Sequence, residues 1–458
     1  MSASATPLNA ALLPTARDGA QQDSGFRNGM TVGALFEDMP LTRKHWMIGF
    51  ALFFVFVVEA WEMMIIVLAG QGIKADLKID DPALGSLMGA IFLGMIPGAL
   101  LWGRLIDRVG RQRALVWSMG SYGLLSLASC LAPSFEWLWA LRFACGVLLA
   151  GAVVTTFPFF EELLPNKVRG KASVHLASGW PIGILLAVAT TWLLADLGWR
   201  WVLAGSSLAS LVAVVLVRTV PESPHWLADK GRFHEAKAVL ASLSSGAHLA
   251  RIRDAVLQVP AAAAQGSIFT AKNARVTAAQ FAINFCFTFA AWAMSSWLPV
   301  MLAKRGLSMA EGLGFVALSA VFMVPGYIAA SYLTGRIGRK KTMVSFVVLA
   351  SVSGFGFAYA QTVPQLYVWN FLLSFFNLGA WGVWNTWMGE IYSTHLRVRG
   401  YSWGVSVARV ANAAAPIAVG SMLATMSVSA TVAFISCFLV ATAAAALFLP
   451  ETEGLALA

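Results

Sequence analysis

Read with an offset of 228 residues, the chain repeats itself. Pro97, Gly98, Arg108, Gly110 and Arg111 of PGALLWGRLIDRVGRQR fall on Pro325, Gly326, Arg336, Gly338 and Arg339 of PGYIAASYLTGRIGRKK. The same shift lays Glu162 and Arg169 over Glu390 and Arg397. One offset that superposes two separate motifs, each at the end of an apolar run, requires two homologous halves of hydrophobic helices, the architecture of a secondary transporter.

Composition agrees. The 458 residues are 58% hydrophobic and 12% charged, with a mean hydropathy of +0.71, too apolar for a soluble globule. The fold class expected is all-α and integral to the membrane, with twelve transmembrane helices in two pseudo-symmetric six-helix bundles. Twelve apolar segments are each long enough for the ~20 helical residues that cross a bilayer. They lie at 46–72, 84–106, 113–133, 136–162, 171–195, 198–219, 277–303, 310–335, 341–361, 364–391, 400–426 and 429–449. The organisation expected is a disordered tail 1–44 with a short surface helix near Val32 to Phe36, a bundle 45–219, a helical linker 220–275, a second bundle 276–450 and a tail 451–458.

Basic residues set the orientation. Lys74, Lys78, Arg200, Lys304 and Arg305 fall in one set of loops, and Arg142 and Arg409 lie within spans. The other 25 of the 32 fall in the tail and the loops on its side, so both termini are expected in the cytoplasm. That bias also explains the net charge of +10 without nucleic acid: the excess faces an anionic leaflet. Cys130, Cys145, Cys286 and Cys437 all sit in apolar spans with no CxxC pattern, and read as small buried hydrophobes rather than metal ligands or disulfides. No cofactor is implied.

Twelve spans in two halves, GRLIDRVGRQR after span 2, RFACG in span 4, PESPHWL after span 6 and the closing PETEG together resemble the major facilitator superfamily over about residues 45 to 455. Within it, NFCFTFAAWAMSSWLPVML, an acidic i,i+3 pair in span 1 and GVSVARVANAAAP in span 11 resemble bacterial aromatic acid:proton symporters. PESPHWLADKGRFHEA is similar to the neighbouring niacin and synaptic-vesicle-like carriers. Span 1 carries EAWE where the aromatic acid group has Asp-Gly-x-Asp, which keeps both carboxylates on longer arms. The resemblance implies alternating access for a small, often carboxylated solute in the bacterial inner membrane. Sugar porters share the PES signature. Their span 7 glutamine and tyrosine pairs are absent, and GVWNTWMGE replaces their Pro-x-Pro-Trp before the span 10 glutamate.

Ionisable groups in mid-membrane cost about 2.5–3.5 kcal/mol each on insertion scales, so each needs a reason. Glu59 and Glu62 sit on one face of span 1 at i,i+3. Side by side they repel, so one holds its proton more tightly, as a proton-coupled carrier requires. Arg142 in span 4 lies at comparable depth and is their natural counter-ion. Arg409 lies near the middle of span 11 with no acid within four residues. Its planar fork suits a substrate carboxylate, and its place resembles the span 11 arginine of the aromatic acid symporters; a structural pair with another helix is the alternative. Two arginines and two ionised glutamates sum to zero. Protonating one glutamate leaves +1, which a monoanionic carboxylate neutralises, so the partners expected are a small organic acid and H⁺.

Span 10 supplies flat walls and amides through Asn377, Trp381, Trp384 and Asn385, and Asn284, Trp292 and Ser295 of span 7 complete a pocket for a planar ligand. On the loop side, Arg108, Arg111, Glu162 and Arg169 recur as Arg336, Arg339, Glu390 and Arg397, whereas Asp107 has Gly335 at its equivalent position. They are expected to latch the two halves in one state and to separate in the other. Gly98, Gly103 and Gly326 are expected to let helices approach closely.

Other classes fit less well. The six histidines lie at loops and span ends, and neither HExxH nor GxSxG occurs, so an intramembrane enzyme lacks its chemistry. A sensor would be expected to append a folded soluble module. An exporter of cations would suit the glutamates, but not the arginines. Two halves already enclose one pathway, so a monomer suffices.

Overall fold

The computed structural model describes residues 30–37, 39–258, 267–392 and 394–452. Twelve long helices occupy the span positions and are numbered alike. The first half holds α1 Arg43–Leu68, α2 Asp81–Val109, α3 Arg111–Ser129, α4 Phe135–Glu162, α5 Gly179–Leu194 and α6 Trp199–Val217. The second holds α7 Ala274–Lys304, α8 Met309–Ile337, α9 Arg339–Tyr359, α10 Val363–Met388, α11 Thr394–Thr425 and α12 Val428–Ala446.

Among the described residues eleven helical stretches are long and apolar enough to cross a membrane, α5 counting as His175–Leu197 and α11 as Arg399–Thr425. The exception is α3, which has a full span's length but carries Ser118, Ser121, Tyr122, Ser126 and Ser129. Four of the five are buried, because α3 is clamped between α4 and α6. Its hydroxyls find partners inside the bundle: Ser118 donates to the Leu148 carbonyl at 2.7 Å and accepts from the Ala152 amide at 2.9 Å. A helix sheltered from lipid can be polar if every polar atom is satisfied. The span expected at 171–195 is broken instead, with a short helix Arg169–Ala177 and a restart at Gly179. Pro181, which has no amide hydrogen, is tolerated in that new first turn.

The helix Val32–Phe36 forms where expected, capped by Thr31, but it is not a surface feature. Val32, Leu35 and Phe36 are buried, and Phe36 stacks on His225 of the linker helix Pro224–Asp229 with centroids 6.0 Å apart. Thr42 donates to the Leu243 carbonyl at 3.2 Å, tying the start of α1 to the linker helix Phe233–Leu243. Within the tail expected at 1–44, residues 30–37 and 39–44 pack as described; residues 1–29, 38, 259–266, 393 and 453–458 lie outside the described residues.

The repeat governs the packing. Within the first half α2 packs on α4, α3 on α4 and α6, and α1 on α5 and α6; within the second, α8 packs on α10, α9 on α10 and α12, and α7 on α11 and α12. Each pair is the image of the other under the 228-residue shift. Gly98 touches the Val147 carbonyl of α4 and Gly326 the Phe375 carbonyl of α10, so both admit close approach; Gly103 faces open space and does not.

The turns before α3 and α9 also match. Gly110 and Gly338 adopt φ of 100° and 92°, a conformation that L side chains rarely reach. Just beyond them a distant glutamate caps the new helix. The Glu222 carboxylate accepts from the Arg111 and Gln112 amides at 2.9 and 3.2 Å, and Glu451 accepts from Arg339 and Lys340 at 2.9 and 3.1 Å. Burial holds the Glu222 carboxyl above the usual range, and these amides partly offset the shift. Glu222→Ala is expected to cost about 1–2 kcal/mol, as losing a helix cap does, measured by thermal denaturation of the purified protein.

The halves meet at the face opposite the termini. There α2 crosses α11 and α5 crosses α8. A Cβ on Gly85 would meet the Pro416 carbonyl at 2.5 Å, and one on Gly420 would meet the Asp81 carbonyl at 2.7 Å. Beside this seam Lys304 of α7 pairs with Asp81 of α2 at 2.8 Å, and Lys74 joins the same carboxylate. Gly85→Val is expected to hold this face apart and shift the population toward the opposite opening. Labelling of a single cysteine introduced beside the seam should rise several-fold. Of the cysteines, Cys130 and Cys145 are buried as expected, whereas Cys286 is half-buried and Cys437 exposed.

Candidate functional site

The glutamates of α1 do not share one site. Three residues of α-helix turn about 300°, so positions 59 and 62 diverge by roughly 60° around the axis. Helix α1 lies between its own bundle and the second half, and that divergence is enough to send the two carboxylates into different surroundings.

Glu62 points into the first half and is 0% exposed. Its carboxylate accepts from Tyr122 Oη at 2.6 Å and from Ser126 and Ser210 at 3.5 Å, partners supplied by α3 and α6. Ser207 donates to Ser126 at 2.9 Å and extends the network. Arg142, also 0% exposed, donates to Ser126 Oγ and to the Glu62 main-chain carbonyl, both at 3.4 Å, and acts on the Glu62 carboxylate through space. Arg142 thus serves Glu62 and not both glutamates. Low local dielectric strengthens such a network when its members are satisfied.

Glu59, 5% exposed, lies within electrostatic reach of Arg409 on α11. The two charges belong to different halves, and among the described residues they make no direct ion pair. Tyr401, two turns before Arg409 and exposed, faces both Arg409 and Glu161 of α4. Arg409, expected to wait for a substrate anion, has an internal anion opposite it.

The expected pocket residues divide. Trp384 donates from Nε1 to Asn284 Oδ1 at 3.2 Å, and Asn284 donates to the Gln280 carbonyl at 2.9 Å, so these two hold α10 against α7. Gln280 itself bonds the Gly400 carbonyl at 2.8 Å and accepts from Tyr392 at 2.9 Å. Trp381 is half-buried against Phe287, with centroids 5.6 Å apart. Asn385 is exposed at the end of α10. Ser295 and Asn377 line a cavity of about 50 Å³ together with Met64 of α1, Ile184 of α5 and Asn370 of α10. The Asn377 Oδ1 there is buried, with no hydrogen-bond partner among the described residues. Trp292 is buried between Phe92 of α2 and Trp180 of α5, at 4.6 and 5.8 Å.

The loop-side charges pair within each half in this conformation. Arg111 meets Glu162 at 3.1 Å and Asp107 at 3.8 Å; Arg339 meets Glu390 at 2.7 Å, and Glu390 accepts from Thr452 at 2.9 Å. Arg336 lies over the Tyr332 ring of its own helix, and Arg108 is exposed. Arg169 donates to the Leu164 carbonyl at 3.0 Å and lies over Phe36, while the Arg397 Nε is buried without a hydrogen-bond partner.

Sequence reasoning missed Tyr122, Ser126, Ser207 and Ser210. The available signal was the density of hydroxyls in α3 and α6, out of place in lipid-facing helices. Tyr401, Phe56, Phe157 and Trp180 were missed as well, and nothing in their spacing marks them.

Two mirrored six-helix halves, joined at one face and carrying buried charges along their seam, define a membrane carrier. The chain belongs to the Major Facilitator Superfamily, whose sequence model matches residues 50–363 and 315–457. It is 31% identical over 402 residues to the niacin transporter of Acinetobacter baylyi, covering 86% of this chain and 91% of that one. It is 27% identical to a 4-hydroxybenzoate transporter of Pseudomonas aeruginosa, covering 83% and 86%. An inward-open structure of the xylose transporter from Escherichia coli superposes with a TM-score of 0.74 at 18% identity, over 90% and 97% of the two chains, which supports the fold. The protein is therefore a multi-pass membrane transporter and not an enzyme.

Proposed function

We propose that this transporter is a proton-coupled symporter of a small aromatic or heteroaromatic carboxylate, working by alternating access. The observation that carries the reading is that Glu59 on α1 and Arg409 on α11, opposite charges on the two halves, lie within electrostatic reach of each other. While Glu59 is ionised, Arg409 is neutralised and a carboxylate solute gains little there. When Glu59 takes a proton, the guanidinium is released and the solute anion replaces the glutamate as its partner. Proton and solute then enter together because neither leaves the half-buried arginine without a compensating charge. Relatives named for niacin and 4-hydroxybenzoate support an aromatic acid as the solute.

Glu62 and Arg142 hold a second, enclosed charge site inside the first half, a reserve for a further proton. The same reading has both termini in the cytoplasm, from the bias of basic residues, and the carrier working as a monomer in a bacterial inner membrane. Asp107, Arg108 and Arg336 with the pairs Arg111–Glu162 and Arg339–Glu390 keep each half rigid, and their loop face latches when the seam at Gly85 opens.

In vesicles containing the purified protein, an inward gradient of an aromatic carboxylate is expected to acidify the lumen. Glu59→Gln is expected to abolish both that acidification and accumulation against a gradient. Retained uphill accumulation in Glu59→Gln would overturn proton coupling at this site.

A further inference from the structure

Outside the charge pair, the residues between the halves form an unbroken chain of rings. Phe157 of α4 meets Phe56 of α1 edge to face at 5.1 Å and 86°. Phe56 tilts against Trp180 of α5 at 6.1 Å, and Trp180 meets Trp292 of α7 edge to face at 5.8 Å and 89°. Trp292 then meets Phe92 of α2 at 4.6 Å. Four of the five rings come from the first half, and Trp292 alone comes from the second.

Three features make this chain a recognition surface. Phe56 precedes Glu59 by three residues, which puts its ring about one turn from the carboxylate along α1 and roughly 60° around the axis. Phe56, Phe157 and Trp180 are half-buried, whereas Trp292 and Phe92 are fully buried behind them. Trp180 touches the second half through Trp292, so its ring lies at the boundary between the halves. By contrast, Trp384 is buried and bonded to Asn284. Ile184 and Ser295, one turn beyond Trp180 and Trp292, line the small cavity toward the joined face, so the rings also separate that cavity from the charge pair.

We propose that the ring of the transported carboxylate is recognised by Phe56, Trp180 and Phe157 of the first half, with Trp180 setting the preference for a planar ring over a puckered one of equal charge and size. This rests on the carboxylate reading above. The face of an aromatic ring is negative and its edge positive, so an edge-to-face wall with an open segment accepts one more flat ring. A puckered ring presents no flat face to it.

The test compares binding of benzoate and cyclohexanecarboxylate to the purified full-length protein in lipid nanodiscs, by calorimetry. Wild type is expected to favour benzoate by about tenfold. Trp180→Leu is expected to lose that preference while binding cyclohexanecarboxylate within about twofold of wild type, and Trp180→Phe to retain most of it. Unchanged preference in Trp180→Leu overturns the assignment. So does an equal loss of both ligands, which would mark Trp180 as structural; in either case the carboxylate reading stands. Wild-type protein that binds neither compound overturns the carboxylate reading and the assignment with it.

Discussion

Arg409→Ala is expected to lower uptake of an aromatic carboxylate by about 100-fold or more. Losing a charge-assisted contact to a bound carboxylate costs about 1.5–3 kcal/mol, and the buried Glu59 is also left without its nearby cation. At 1.4 kcal/mol per factor of ten, the two together reach about two orders of magnitude. Two effects contribute and can be separated. The variant loses the donor fork for the solute, and it also leaves Glu59 without a counter-charge. In the double variant Glu59→Gln with Arg409→Ala the second effect disappears, so the amount of folded protein should recover while uptake does not. Arg409→Lys keeps the charge but not the planar fork, and is expected to lose about tenfold. Uptake of radiolabelled benzoate, normalised to folded protein by size-exclusion chromatography, reads each case. Arg409→Ala with uptake within a factor of three of wild type would remove this residue from the solute site.

Arg142→Leu has the largest expected effect on stability. Glu62 sits 0% exposed among Tyr122, Ser126 and Ser210, and Arg142 is the cation that answers it. Without that cation the carboxylate is an uncompensated buried charge, for about 3–5 kcal/mol. Glu62→Leu combined with Arg142→Leu removes both charges and is expected to recover much of the loss, as apolar replacements of buried pairs often do. Thermal unfolding of the detergent-solubilised variants measures the difference. Near-additive losses in the double variant would show that the two side chains do not act as a pair.

These variants rest on pairings that the chain's linear order leaves open. The i,i+3 spacing of Glu59 and Glu62 suggests a shared site because helical neighbours usually meet the same surroundings. In the folded protein α1 has a different neighbour on each side of that narrow angle, so one glutamate meets α3, α4 and α6 and the other meets α11. The same limit applies to Trp384 and Asn284. Both are polar-aromatic residues in mid-span, suited to a pocket, yet their hydrogen bond to each other holds α10 to α7.

Helix α3 shows the opposite limit. Its serines lower its hydropathy below that of the other spans, which by composition alone reads as weakness. Packing turns most of them inward, and one of them, Ser126, donates to the Glu62 carboxylate and accepts from Arg142. The signal was present in the residues, but its meaning depended on which neighbours enclosed them.

The sequence by itself determined the repeat, the helical spans to within a few residues at most ends, the membrane environment and the four charges in mid-span. These follow from local physics: apolar length, helical period and the cost of a charge in hydrocarbon are all written along the chain. The partition of those charges into an enclosed pair, Glu62 with Arg142, and a pair across the seam, Glu59 with Arg409, was decided by tertiary structure alone. So was the line of rings from Phe157 to Phe92. Helical periodicity fixes the angle at which a side chain leaves its helix, but only the packing of twelve helices decides what stands opposite.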